Sequence, residues 1–398
     1  MMGLVFSVVF FNAADFRGDS GEEFSVHWQI FFRLGICACC GLVGLAMLPH
    51  TLRHFLGLPG MFVGTSVLWI LTTTPMSIAP AYSAAAEISL ACVVCMIPAA
   101  MRTLGGRTHY LTIAFGLAVY LIGSWIAYLV FPEVGVFKEQ VTQTEVVYRM
   151  GGLGHPNELG AYAAYCVIAF VALWYGRHLN ARYCIAAIGL GMVTLVACYS
   201  RTSIIITAIG VAMVLRDAWF RRWTVLVAGA VAVLSLVILL AAFGSGKMDW
   251  FLRDLAVKVS KSGNTDELTT ATGRTEIWAY AVDRIAERPL FGYGYGTGRF
   301  VMEEHSYHCH NIILNITLYT GLIGGGLLLM TMVWIWTAIA IRPRYEIDGW
   351  AVVILLGGMI EGMLVSSVPA ASMMIWVTIV FWRQMGMSLR NPSATAAA

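Results

Sequence analysis

Charge is what this chain has least of. Lys, Arg, Asp and Glu together make up 12% of its 398 residues, about half the ~25% of an average globular domain. With a mean hydropathy of +0.76, that scarcity excludes an ordinary soluble protein and identifies a polytopic membrane protein. The net charge is only +3, and no nucleic-acid partner is expected. Cysteine offers no disulfide framework, because nine is an odd number and Cys37, Cys39, Cys40, Cys92, Cys95, Cys166, Cys184 and Cys198 fall in apolar runs. The Cys92-x-x-Cys95 pair on an apolar helix reads as two small packing residues. Cys309 stands alone in polar sequence. A basic n-region and a small-residue cleavage site are missing from the apolar N-terminus, so a retained span is expected there. No convincing internal repeat is visible.

Long apolar runs are what the chain has most of. Stretches of about 17–25 apolar residues mark spanning helices. Twelve are expected, at 2–14, 28–48, 56–74, 82–101, 109–131, 156–175, 183–199, 202–216, 223–243, 311–341, 350–368 and 370–383. The run 311–341 is long and is expected to tilt or to extend beyond the bilayer. The organisation is therefore nine spans in 1–243, a polar loop at 244–309, three spans in 310–390, and a small polar tail, 391–398, expected to be disordered.

Loop charge orients these spans. Taken alternately, one set of short loops carries Arg53, Arg102, Arg107, Arg177, Arg182, Arg216, Arg221, Arg222, Arg342, Arg344, Arg383 and Arg390. The other set carries little positive charge, with Arg17 among four acids, nothing at 75–81, and Lys138 with Arg149 among three glutamates. The positive-inside rule then puts both termini in the cytoplasm. The segment 244–309, the loop 132–155 and the turn Tyr199-Ser200-Arg201-Thr202 fall on the external face, which is periplasmic in a Gram-negative cell.

Within the long loop, Trp250, Phe251, Leu255 and Val259 recur at helical spacing over Lys247–Ser260, the pattern of a helix lying in the interface. A second helix should start near Gly273, with a stripe of Ile277, Trp278, Ala281, Val282 and Ile285. Pro289 ends it. Four glycines then alternate with aromatic residues between Phe291 and Gly298, allowing close backbone approach.

Polar residues that could do chemistry gather at this external face. Arg201 sits between two spans, on the side where a merely topology-setting arginine is not expected. Arg274 opens the second loop helix, where unpaired N–H groups and the helix dipole already favour an anion. The alternatives for it are a surface charge or a pair with Glu276. His310 begins a span; its imidazole can take a proton at neutral pH, and Asn311 beside it can orient a substrate hydroxyl. His155 and Asn157, in Gly154-His155-Pro156-Asn157, are either a cap and turn or substrate contacts. A metal cluster of His305, His308 and His310 fits poorly, since the spacing matches no single helix face. No metal and no cofactor are expected. Arg33, Glu87 and Glu361 lie within spans, where charge is costly and faces a cavity or a partner. They suit a proton relay, an ion pair, or the midplane site of a transporter for lipid-linked oligosaccharides, although that fold should show inverted repeats. Two arginines and a general base at the outer membrane surface suit a lipid-linked sugar diphosphate.

At these positions the chain resembles the O-antigen ligase / polysaccharide polymerase family of membrane glycosyltransferases. The resemblance rests on Ser200-Arg201-Thr202, Gly273-Arg274-x-x-x-Ile277-Trp278, Arg288-Pro289-Leu290-Phe291-Gly292-Tyr293-Gly294, and His310-Asn311-x-x-Leu314 followed by Gly321-Leu322-Ile323-Gly324. Together these motifs cover roughly residues 150–325. The resemblance implies an all-α integral membrane fold of about twelve spans with a large periplasmic loop, related to the GT-C type, in the bacterial inner membrane. It also implies metal-independent transfer of a glycan, with inversion, from a polyprenyl diphosphate carrier to a sugar hydroxyl of a saccharide or of lipid A-core. By motif match, Arg201 and Arg274 bind the diphosphate, His310 is the base, and Arg288 adds a substrate contact. Gly154-His155-Pro156-Asn157 is more similar to the exopolysaccharide polymerases of the family than to its lipopolysaccharide ligases.

Overall fold

The structure, a computed structural model, describes residues 1–13, 28–140, 146–219, 274–302, 306, 308–342, 345–361 and 371–389. In chain order these form α1 (Met2–Ala13), α2 (Trp28–Ala46), α3 (Leu48–Leu56), α4 (Gly60–Thr73), a short 3-10 turn at Thr74–Met76, α5 (Pro80–Val130) and α6 (Pro132–Gly135). The strands β1 (Val136–Gln140) and β2 (Val146–Met150) follow, then α7 (Pro156–Tyr175), α8 (Ala181–Ala197) and α9 (Arg201–Trp219). The remainder is α10 (Arg274–Glu287), α11 (Gly298–Val301), α12 (Ile312–Ile341), α13 (Tyr345–Glu361) and α14 (Ala371–Gln384). Each expected span has a helix except 223–243, which lies outside the described residues, as does the expected interfacial helix 247–260. Among the described residues four helices are long and apolar enough to cross a membrane, or five if α3 and the segment Gly60–Met76 form one broken span.

Three expectations are corrected. The stretch 49–55, expected to be a short loop carrying Arg53, is helical as part of α3, which meets Gly60–Met76 at 107°. The fold is not wholly helical: Val136–Gln140 pairs antiparallel with Val146–Met150, with Lys138 opposite Tyr148. And the run 311–341 is neither simply tilted nor overlong. It breaks at Gly321, where φ is 72°. Beyond the break, residues 322–341 extend about 30 Å at 1.5 Å per residue, which matches the hydrocarbon core of a bilayer. Gly105 does the same for α5, whose 51 residues would otherwise run far past the membrane. Its φ of 72° separates two helical segments, 80–104 and 106–130.

The core is built around α7, with 83% of its apolar window buried. Its middle turns, from Ala161 to Ala172, are mostly small or aliphatic residues with three aromatics, Tyr162, Tyr165 and Phe170, and all are buried. Helices α9 and α13 cross closely because each has a glycine at the crossing: a Cβ on Gly210 would meet Ile168 and the Gly349 carbonyl, and one on Gly349 would meet Val214 and the Gly210 carbonyl. Close backbone approach through small residues is the usual route to helix association in lipid.

The two ends of the bundle differ in chemistry. At one end the arginine-rich turns are tied together: Arg102 to His50, Arg107 to the His178 carbonyl, and Arg216 and Arg383 to the fully buried carboxylate of Asp348. Arg383 also donates to the Arg342 carbonyl. The opposite end carries the hairpin, the Cys198–Arg201 turn, the Gly292–Gly296 loop and the start of α12.

The break in α12 is sealed from a distance. Tyr293 N donates to Leu318 O at 3.0 Å, Gly294 N to Tyr319 O at 2.9 Å, and Leu322 N to Pro289 O at 2.7 Å. Trp69 Nε1 takes the Thr320 carbonyl at 2.8 Å, and its ring stacks on Phe291. A Cβ at Gly321 would overlap the Leu290 carbonyl. Gly321→Ala therefore combines a forbidden φ with a clash and is expected to cost at least about 1–3 kcal/mol. Gly326, in the same helix, has open space where a Cβ would lie, so Gly326→Ala should leave the melting temperature unchanged or raised. Thermal unfolding in detergent micelles compares the two, and equal melting temperatures would contradict the sealed break.

Candidate functional site

Arg201 is the first residue of α9. The turn before it is tight, with φ of 53° at Tyr199. Gly160 of α7 admits that turn, since a Cβ there would come within 2.9 Å of Ser200 Cβ and 2.8 Å of Ser203 Oγ. The two serine hydroxyls are themselves 2.9 Å apart. The Arg201 guanidinium lies over the Tyr199 ring at 6.0 Å. Among the described residues no carboxylate pairs with it, so its charge is open to an anion.

His310 lies just before α12 in the left-handed region, with φ of 49°. A non-glycine residue there is strained and persists only where its surroundings over-determine it. Both neighbours are held. Cys309 N donates to Asn315 Oδ1 at 2.7 Å, and Cys309 O accepts from Trp278 Nε1 at 2.9 Å. Asn311 Oδ1 caps α12, accepting from Ile313 N and Leu314 N, while its Nδ2 donates to Met359 O at 3.0 Å. The His310 ring packs 4.1 Å from that of His308, and its Nε2 is 3.4 Å from Ser306 Oγ. His305 lies outside the described residues.

These contacts join the separate pieces. Trp278 sits one turn after Arg274 on α10, so the helix that Arg274 opens is bonded to the residue preceding His310. Along the α9–α13 interface Gly357 faces Ile206, and α13 continues from there towards the start of α9. Met359, two residues on, takes the Asn311 amide. The backbones of Arg201, Arg274 and His310 thus belong to one connected end of the bundle.

His155 and Asn157 take a different place. His155 caps α7, its Nδ1 accepting from Asn157 N at 3.2 Å, and its ring lies 4.8 Å from that of Phe137 on β1. Asn157 Oδ1 accepts from Arg149 NH2 at 2.8 Å. Arg288 is exposed, donates to the Met76 carbonyl at 3.2 Å, and lies over the Tyr293 ring. It braces the glycine loop against the turn at 74–76. Burial, with the Glu287 carboxylate that accepts from its hydroxyl, pushes the Tyr293 phenol up. Glu87 is fully buried and bonded to the Thr74 hydroxyl. It is not paired with Arg33, whose Nε donates to the Phe11 carbonyl.

Sequence reasoning passed over Arg149, noted only as a loop charge, and over Asn315. Asn311 as a cap carried a readable signal, an Asn immediately before an apolar helical run.

Two comparisons with known proteins give matches. Residues 185–329, the stretch from α8 into α12, match the family model described as O-antigen ligase. Over 343 residues the chain is 28% identical to the exopolysaccharide production protein ExoQ of Rhizobium meliloti (strain 1021), covering 76% of this chain and 70% of that protein. The two matches support an O-antigen ligase/polymerase-like family. The polar end of the bundle, with Arg201, α10 and His310, is the candidate site.

Cys309 reports whether the peptide before His310 is held as described. Burial pushes its thiol up to about 12. A thiol whose folded pKa is raised contributes stability that is whole below about pH 9 and is lost as pH rises towards 12. Native protein treated with iodoacetamide at pH 8 should leave Cys309 unmodified by mass spectrometry, while unfolded protein is labelled. Labelling of the native thiol at the rate of an exposed cysteine would contradict the packing.

Proposed function

We propose that this protein is a membrane glycosyltransferase. It transfers a glycan from a polyprenyl diphosphate carrier to a sugar hydroxyl at the periplasmic face of the bacterial inner membrane, with both termini in the cytoplasm. The observation that carries this reading is the hydrogen bond from Trp278 to the Cys309 carbonyl. It joins the helix opened by Arg274 to the strained histidine at the start of α12, at the end of the bundle where Arg201 has no carboxylate partner among the described residues.

In this reading the acceptor hydroxyl attacks the anomeric carbon as the bond to the diphosphate oxygen breaks, with inversion. His310 takes the hydroxyl proton, which as general-base catalysis contributes about 10²–10⁴-fold. Negative charge collects on the leaving diphosphate, where Arg201 and Arg274 offer bidentate hydrogen bonds worth about 1.5–3 kcal/mol each. Asn311 and Arg288 line the approach, and His155 and Asn157 contact substrate from the α7 side. The lipid lies among the helices. No step needs a metal or a cofactor.

Repeat-unit polymerisation is the preferred form of the reaction, supported by the likeness to an exopolysaccharide production protein and by Gly154-His155-Pro156-Asn157. Ligation onto lipid A-core is the second form, favoured by the description of the matching family model. Purified protein given lipid-linked repeat units distinguishes them. Extended chains formed without core indicate a polymerase, and a single transfer that requires core indicates a ligase. His310→Ala, Arg274→Ala and Arg201→Ala are each expected to abolish product while the protein still inserts, read by glycan gel and membrane fractionation. Near-normal product from all three would sink the assignment. Transport of labelled lipid-linked sugar across vesicles with no new glycosidic bond would replace it by a transporter.

A further inference from the structure

Arg149 is a charged residue in a place where it cannot meet substrate. It is 3% exposed, and each nitrogen of its guanidinium is used. Nε donates to Cys198 O at 2.9 Å, NH1 to Glu139 Oε2 at 2.7 Å, and NH2 to Asn157 Oδ1 at 2.8 Å. These acceptors belong to three separate segments: the end of α8, strand β1, and the first turn of α7. Glu139, itself partly solvated, balances the charge, so burial of this guanidinium is compensated rather than left open to a ligand.

The acceptor on α8 matters most. Cys198 immediately precedes the strained Tyr199, and Arg201 follows two residues later. Backbone bonds from Cys198 N to Thr194 O and from Tyr199 N to Val196 O carry α8 up to the turn, and Ser200 and Ser203 bond to each other and pack on Gly160. A carbonyl fixed at Cys198 therefore fixes where α9 begins and where its first side chain starts. The same guanidinium also holds Asn157, whose N–H is bonded to His155. The planar fork of arginine reaches three acceptors at fixed angles, whereas a lysine ammonium on the same stem is a single point donor.

We propose that Arg149 is a positioning residue for the donor-binding cation Arg201, acting through the Cys198 carbonyl. The proposal deepens the glycosyltransferase reading and rests on it. It predicts that loss of the fork weakens diphosphate binding only where Arg201 is present to be misplaced.

The test is equilibrium binding of polyprenyl diphosphate to the full-length protein in nanodiscs. Arg149→Lys is expected to bind about tenfold more weakly than wild type, within the range of coupling between residues acting through shared structure. In an Arg201→Ala background Arg149→Lys should change affinity by less than about twofold, whereas in an Arg274→Ala background it should still cause its full loss. Equal losses in both backgrounds would mean general destabilisation and overturn the proposal, as would wild-type affinity in Arg149→Lys. Absence of binding by wild-type protein would overturn the donor reading itself, and this proposal with it. Should Arg149→Lys fail to insert, Glu139→Gln loosens the hold on the guanidinium without removing it. It should weaken binding about threefold with Arg201 present and not at all in Arg201→Ala. The same loss in both would refute the proposal.

Discussion

The end of the bundle that carries the candidate site depends on one open stretch of helix. At Gly321 the α12 backbone turns out of its helical path, which frees carbonyls and the Leu322 N–H that lipid cannot satisfy, each worth several kcal/mol if left bare. The loop 289–294 supplies three of the missing bonds and Trp69 a fourth. This exchange is mutual. The loop lacks regular structure of its own and obtains it by pairing with the broken helix, while the break is tolerable only because the loop is there. Gly292, Gly294 and Gly321 all have positive φ, so the pairing requires glycine on both sides. The segment of α12 before the break, with His310 at its head, is thereby tied to the α4–α5 side of the bundle.

A second set of bonds holds the other side of the site. Arg149 draws the hairpin, α7 and the end of α8 together, and Asn311 links the head of α12 to the end of α13. Both use polar side chains to satisfy backbone or amide groups at helix ends, where four carbonyls or N–H groups are otherwise orphaned. The reactive residues then need little support of their own. Arg201 and Arg274 each start a helix, and His310 precedes one, so their positions follow from where those helices are made to begin.

Much of this was legible in the sequence. Helices fall on the expected spans within the described residues, and α10 begins at Arg274 and ends at Glu287, just before the Arg288-Pro289 pair expected to stop it. Apolar run length and proline are local signals, and local signals survive. The break at Gly321 was hidden because the run 311–341 is apolar on both sides, and Gly321 needs its special φ only once Leu290 is beside it. Helix α3 was hidden for a different reason, since Pro49, His50, Arg53 and His54 in Leu48–Leu56 read as a polar loop between two apolar runs. The hairpin was missed because five-residue strands among scattered charges give too short an alternation. Arg149 looked like a loop charge because its three acceptors are separated from one another along the chain and meet only in the fold. For Arg201, Arg274 and His310 the motifs named the residues, whereas their connection through Trp278, Met359 and Asn311 is a property of the packing.

The central claim is that Arg201, Arg274 and His310 serve one diphosphate-linked substrate at one end of the bundle. An experimental structure of the full-length protein in nanodiscs, bound to a polyprenyl diphosphate-linked glycan, tests it most directly. The account predicts diphosphate density within hydrogen-bond reach of the Arg201 and Arg274 guanidinium groups, with the first sugar beside the His310 imidazole. Density for the diphosphate elsewhere, such as near Arg33 or Glu87 among the spans, with His310 far from the sugar, would contradict it.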